Sequence, residues 1–75
     1  MSGKILDTRG LKCPLPVLRA EKYLQNCPEG TQFVLLADDP VAQVDIPVFC
    51  QNNGHDCSLA KDGSFFSFNI TAKKS

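Results

Sequence analysis

The segment of this chain best placed to do chemistry is Cys13-Pro14-Leu15-Pro16, a cysteine set against two prolines one residue apart. The run that follows has helical periodicity. Proline is tolerated in the first turn of a helix because it lacks an amide donor that would go unpaired there. The spacing therefore predicts Cys13 at the N-cap, with Pro14 and Pro16 at the first and third helical positions. The free amides of Leu15 and Val17 are then expected to point toward the Cys13 sulfur. With the positive end of the helix dipole and the nearby charges of Arg9 and Lys12, they should favour the thiolate. Environments of this kind lower a cysteine pKa from about 8.5 to roughly 3.5–7.5, and a helix start without an adjacent base belongs at the upper end.

An accessible thiolate can attack a carbonyl, form a disulfide, bind a metal or carry a transferred sulfur. Acyl transfer wants a base beside the nucleophile, and the single histidine, His55, stands far along the chain with no orienting partner in view. Dithiol redox chemistry wants Cys-x-x-Cys, and Pro16 occupies the second cysteine's place. What remains is a lone nucleophilic sulfur, and the same amides would hold the outer sulfur of a persulfide. The plainer reading is that Cys13 is a small cap residue, although Ser, Thr, Asp and Asn cap better.

Of the other cysteines, Cys50 reads as a small apolar core residue, while Cys27 and Cys57 fit interior or edge packing. The four spacings do not match paired zinc knuckles, so no metal site is expected. His55 after Gly54 reads as a turn residue. Arg9, Lys12, Arg19 and Lys22 are either a basic patch for docking an acidic partner surface or a solvated helix face. Phe66 and Phe68 share a strand face toward the core and Phe65 faces away, which is no nucleic-acid stacking stripe.

The elements that must position these residues can be read from periodicity. The apolar run 4–7, stopped by Gly10, is a first strand. From Pro14 onward Val17, Ala20 and Leu24 fall on one side of a helix, with Arg19, Lys22 and Asn26 on another. Pro28 and Gly30 break the chain, and Gln32-Phe-Val-Leu-Leu-Ala37 suits an interior strand. Asp38-Asp39-Pro40 leads into a second helix, with an Asp able to accept from free amides. Because Pro47 would interrupt an established helix, the regular part is expected to begin near Asp45 and to end at Gly54. Runs 57–61 and 64–71 flank Asp62-Gly63, a hairpin signal. The order β-α-β-α-β-β is most simply built as a two-layer α/β (α+β) sandwich, a four-stranded mixed sheet with both helices on one face. Residues 73–75 should fray.

Seventy-five residues allow one domain, spanning 1–75, with one core and little room for an enclosed active site. Eight Lys and Arg balance eight Asp and Glu, which removes the general electrostatic argument for nucleic acid or an anionic membrane. No apolar stretch has the length of a signal peptide or membrane span, so a cytoplasmic monomer with reduced thiols is expected.

The segment Leu6-Asp-Thr-Arg-Gly-Leu-Lys-Cys13-Pro-Leu-Pro-Val17 resembles the signature of the TusA-like (SirA-like) sulfur-carrier family, whose mark is Cys-Pro-x-Pro. A second block, Asp38-Asp-Pro-Val-Ala-Gln-Val-Asp-Ile-Pro-Val-Phe-Cys50 with Gly54-His55 after it, is similar to the family's Asp-Pro, Asp-Ile-Pro and Phe-Cys segment. The resemblance implies a two-layer sandwich and a sulfurtransferase-type carrier rather than a stand-alone turnover enzyme. Cys13 would take sulfur as a persulfide from a cysteine desulfurase or rhodanese-type donor and pass it to an acceptor protein, with no dissociable cofactor. Family members serve tRNA thiolation, molybdenum-cofactor maturation or sulfur oxidation. Many tRNA-thiolation members carry an acidic residue where this chain has Leu15. The alternatives are a non-catalytic regulatory or RNA-associated binding module, and a thiol redox sensor pairing Cys13 with Cys50, which requires the two sulfurs to be close.

Overall fold

The computed structural model describes residues 4–73. The elements run β1 (Lys4–Asp7), α1 (Leu15–Gln25), β2 (Gln32–Ala37), α2 (Ala42–Asn52), β3 (Asp56–Asp62) and β4 (Phe65–Thr71). The expected fraying of the tail falls, for Lys74 and Ser75, outside the described residues. Among the described residues no helix is long and apolar enough to cross a membrane.

The four strands form one mixed sheet in the order β1-β2-β4-β3. β1 lies parallel to β2, with Leu6 beside Leu35, and the other pairs are antiparallel. The two central strands bury every second residue: Phe33, Leu35 and Ala37 on β2, Phe68 and Ile70 on β4. Ala20 and Leu24 of α1 and Ala42, Ile46 and Cys50 of α2 join the same cluster, so both helices cover one face, as the periodicity predicts. Alanines at the helix–sheet contacts let the backbones approach closely. Tyr23 packs edge-on against Phe33, ring centroids 4.6 Å apart. The opposite face of the sheet stays open, with Ile5 57% exposed.

The parallel pairing of β1 and β2 has one geometric result that matters for the site. Each strand feeds a helix, so the carboxyl ends of both strands and the amino ends of both helices gather at one edge of the sheet.

Two expectations are corrected. The regular part of α2 begins at Ala42, three residues before Asp45, and Pro47 lies inside it. The start is anchored ahead of the proline: the Ala42 amide donates to the Asp39 carbonyl at 2.9 Å, and the Val44 and Asp45 amides both return to the Val41 carbonyl, at 3.0 and 2.9 Å. Pro47 can then withdraw only the donor that would meet Gln43, a single bond. The hairpin loop is also displaced by one residue. Asp62 still pairs with Phe65, leaving Gly63-Ser64 as the loop. Gly63 has φ +66° and no non-glycine residue among those described has positive φ. That fits a turn with glycine at its first central position rather than the Asp-Gly turn, which needs positive φ at both.

The buried cluster makes a graded test. Urea unfolding of Ile46→Val should show a loss of about 0.5–1.5 kcal/mol, and Phe68→Ala about 3–5 kcal/mol, a large part of what a small domain has. Equal, small losses at both positions would mean that these side chains do not share one tightly packed core.

Candidate functional site

Between β1 and α1 the chain crosses the gathered edge as a loop, and almost every residue of it is tied down. Thr8, fully buried, donates both its amide and its hydroxyl to the Leu36 carbonyl at the end of β2. Gly10, at φ +88°, turns the chain and donates to Asp38 Oδ1 at 3.0 Å. The Cys13 amide donates to Asp39 Oδ2 at 2.8 Å, and the other oxygen of that carboxylate accepts from Val41 at 3.0 Å. Asp38 and Asp39 therefore do more than start α2: they fix the cysteine loop to it.

The helix start differs from the expected one. Pro14 is the cap residue, Leu15 the first helical residue and Pro16, buried, the second, and the Cys13–Pro14 peptide is cis. The Leu15 amide donates to the Lys12 carbonyl at 2.8 Å, closing a turn just ahead of the helix, so it is spent on that turn and not aimed at the sulfur. Cys13 thus stands one residue outside the cap, half-buried.

The electrostatics run opposite to the expected thiolate. Burial comes first, then the influence of the Asp45 carboxylate and then the negative charge of Asp39, and together they push the Cys13 thiol up to about 11. A helix start contributes roughly 0.3–1 kcal/mol, less than the 1.36 kcal/mol of one tenfold change in acidity, and cannot offset two carboxylates. These surroundings favour the protonated thiol over the thiolate. Asp45 is the residue that sequence reasoning missed. It lies in the first turn of α2 and reaches Cys13 only because the two helix starts share an edge. Placing the start of α2 at Asp45 instead of Ala42 hid that relation.

The basic residues do not form one cluster. Arg9 donates to Asp7 from Nε and Nη2, at 3.0 and 2.8 Å, and its guanidinium lies 4.9 Å from the centroid of the Phe65 ring. That pairing holds the Asp7 carboxyl down at about 2. Arg19 and Lys22 line a shallow hollow with Leu6, Tyr23 and Asn26. Lys12 acts electrostatically on Asp39, and Arg9 on Asp38 as well as on Asp7. Both helices also carry exposed apolar side chains: Leu15 and Leu18 on α1, and Val41, Val44 and Val48 on α2.

The remaining thiols are placed elsewhere. Cys27 is buried and donates to the Tyr23 carbonyl at 3.2 Å. Cys50 is fully buried and is electrostatically linked to Cys57. The link with Cys57, and then burial, push the Cys50 thiol up, while the same link lowers Cys57. Cys13 and Cys50 are both free thiols in this structure. His55 accepts the Lys73 amide on Nδ1 at 3.0 Å, a structural turn residue.

A sequence model of the family described as sulfurtransferase TusA matches residues 4–72. Two candidate sulfur carrier proteins of Neisseria meningitidis, from serogroups A and B, are each 46% identical over 55 residues, covering 73% of this chain and 74% of theirs. The crystal structure of a SirA-like protein from Desulfitobacterium hafniense superposes with a TM-score of 0.81 at 25% identity, over 93% of this chain and 97% of that one.

The Asp39 clamp gives a pH test. The Cys13 and Val41 amides hold the Asp39 carboxyl below its ordinary value. A depressed acid contributes its full stabilisation above the ordinary value near ~4, and loses it as pH falls through the lower, folded-state value. In an NMR titration the Cys13 and Val41 amide resonances should move together with a common midpoint below about 4. Separate midpoints, or one at the ordinary carboxylate value, would show that Asp39 does not clamp the loop.

Proposed function

We propose that this chain, which belongs to the TusA sulfurtransferase family and is thus a sulfur carrier, bears its cargo on Cys13 as a persulfide. The observation that carries this reading is the position of Cys13: the one half-buried thiol that stands at the shared edge of both helix starts, on a loop pinned at Thr8, Gly10 and Cys13 itself. Cys27 and Cys50 are buried, and Cys57 is engaged by Cys50.

Loading is a redox-neutral exchange. The Cys13 sulfur attacks the outer sulfur of a donor persulfide, the donor's S–S bond breaks, and the donor's inner sulfur leaves with the proton that Cys13 gives up. Cys13 ends as Cys–S–SH and the donor as a thiol. Delivery runs the same exchange with the acceptor's sulfur as nucleophile. The protein contributes placement: a fixed backbone at Cys13 presents the sulfur in one geometry, which is worth more than intrinsic reactivity when two large partners must align reacting atoms at roughly 3–3.5 Å. A cysteine desulfurase or a rhodanese-type protein fits the donor role, and a sulfur-accepting protein the other. The exposed Leu15, Leu18, Val41, Val44 and Val48 on the two helices supply apolar contact area suited to such transient partners.

Intact-protein mass spectrometry after incubation with a cysteine desulfurase and cysteine tests the reading. Wild type should gain one sulfur that a thiol reductant removes, and Cys13→Ser should gain none. A gain that persists in Cys13→Ser would move the cargo to another thiol, and no gain from desulfurase or rhodanese donors would remove the persulfide reading.

A further inference from the structure

β1 is an edge strand, paired with β2 on one side and with no other strand among the described residues. Its outer side is free. The Thr8 amide donates to the Leu36 carbonyl at 2.8 Å, so the main-chain groups of Leu6 and Thr8 turn toward β2. By the alternation of a strand those of Ile5 and Asp7 turn outward. Their amides and carbonyls stand open there, a template for one more strand. β1 also runs straight into the cysteine loop, so a molecule held on this edge stands next to that loop.

On the helix side of β1 lies a hollow of about 450 Å³ lined by Leu6, Arg19, Lys22, Tyr23 and Asn26. The four helical residues are spaced i, i+3, i+4 and i+7, one stripe of α1. The apolar part of the lining is Leu6 with the Tyr23 ring, which packs edge-on against Phe33 at 4.6 Å. Its two cations are unpaired. The ion pairs among the described residues are Arg9 with Asp7 and Lys73 with Asp56. The single acid of α1, Glu21, lines a different hollow with Leu24 and Phe49. Lys4, exposed and on the same face of β1 as Leu6, adds a third cation without an acid. In a chain whose charges balance overall, this flank carries a local positive excess.

We infer that the outer edge of β1, flanked by this stripe of α1, docks an extended acidic segment of a partner protein, which joins the sheet as an additional strand. Main-chain bonds to Ile5 and Asp7 hold it, and the side chains beside the hollow select it. Carboxylates at alternate residues of such a segment face one side roughly 6.7 Å apart, and Arg19 and Lys22 stand roughly 4.5 Å apart along the helix axis. Long basic side chains absorb that difference. The next apolar side chain on the same face of the segment rests on Leu6 and Tyr23. The one acid of β1, Asp7, lies on the opposite face and is already paired with Arg9, so it does not repel the segment. Charge also decides against a second copy of this chain. Two copies joined through this edge would set Arg19 and Lys22 of each against those of the other, and like charges repel. A nucleic acid could meet the cations, but it would leave the Ile5 and Asp7 carbonyls and the apolar lining unused. Docking here does not depend on what Cys13 carries.

The test is an NMR titration of the folded, isotope-labelled protein with the blocked peptide Leu-Thr-Glu-Thr-Glu-Thr-Leu. The Ile5 and Asp7 amides should shift most and, at saturation, exchange with solvent about tenfold more slowly, while Thr8, already bonded to β2, changes little. Lys22→Gln should weaken binding by up to about fivefold, the range of an exposed ion pair. The double variant Arg19→Glu with Lys22→Glu, at two exposed positions, should abolish it. A peptide with Lys in place of both Glu should not bind. Undiminished binding to the double variant overturns the role of the cations. Binding without slower exchange at Ile5 and Asp7 overturns the added strand, and no binding overturns the docking edge altogether. Tighter binding of a uridine oligonucleotide of the same charge would assign the flank to nucleic acid instead. Protection of Ile5 and Asp7 without peptide, lost on dilution, would assign the edge to a second copy.

Discussion

The parallel pairing of β1 with β2 is the constraint on which the rest of the molecule depends. It sets Leu6 beside Leu35 in the core and, by the same register, brings Thr8 to the Leu36 carbonyl and the cysteine loop to the pair of aspartates that follow β2. An antiparallel arrangement of these two strands would send the helix starts to opposite edges. Cys13 would then face solvent with no acid near it. The site is therefore a property of topology before it is a property of any side chain. Two segments 26 residues apart meet at a 2.8 Å hydrogen bond because two strands run the same way.

The carboxylates that hold this loop do so at a chemical cost. Asp39 makes the loop rigid by accepting the Cys13 amide, and in doing so brings a negative charge close to the sulfur. Asp45 adds a second negative charge that also pushes the thiol up. A neutral acceptor such as Asn at either position could keep part of the hydrogen bonding without the charge. The choice of acids favours a protonated sulfur over an ionised one.

Much of this architecture was legible in the residues themselves. The strand at Gln32–Ala37 matches its apolar run, and Ala20 and Leu24 turn inward as their spacing predicts. Gly54 closes α2 at φ +78°, as a helix-ending glycine should. What was not legible has physical reasons. Pro47 looked like a start signal because proline is favoured in a first turn, but the bonds from Ala42, Val44 and Asp45 had already begun the helix upstream. The amide of Leu15 was expected at the sulfur, and the Lys12 carbonyl took it. Arg9 was expected near Cys13 by sequence distance, and Asp7, two residues away, captured it together with the face of Phe65. Asp45 was invisible for a different reason. Its effect on Cys13 is electrostatic and acts across 32 positions of sequence, and no local pattern encodes that.

The confinement of Cys13 to a single edge sets an order of events. The described part of the molecule measures 32 × 24 × 17 Å, and Cys13 stands half-buried at one edge of it. With Cys13 as the carrying atom, whichever protein holds that edge shuts out every other, so no ternary relay through this carrier can form. Traffic becomes a sequence of separate visits, with each partner obliged to let go before the next can begin. Throughput is then governed by departure rates, and tight binding at either stop would stall the line.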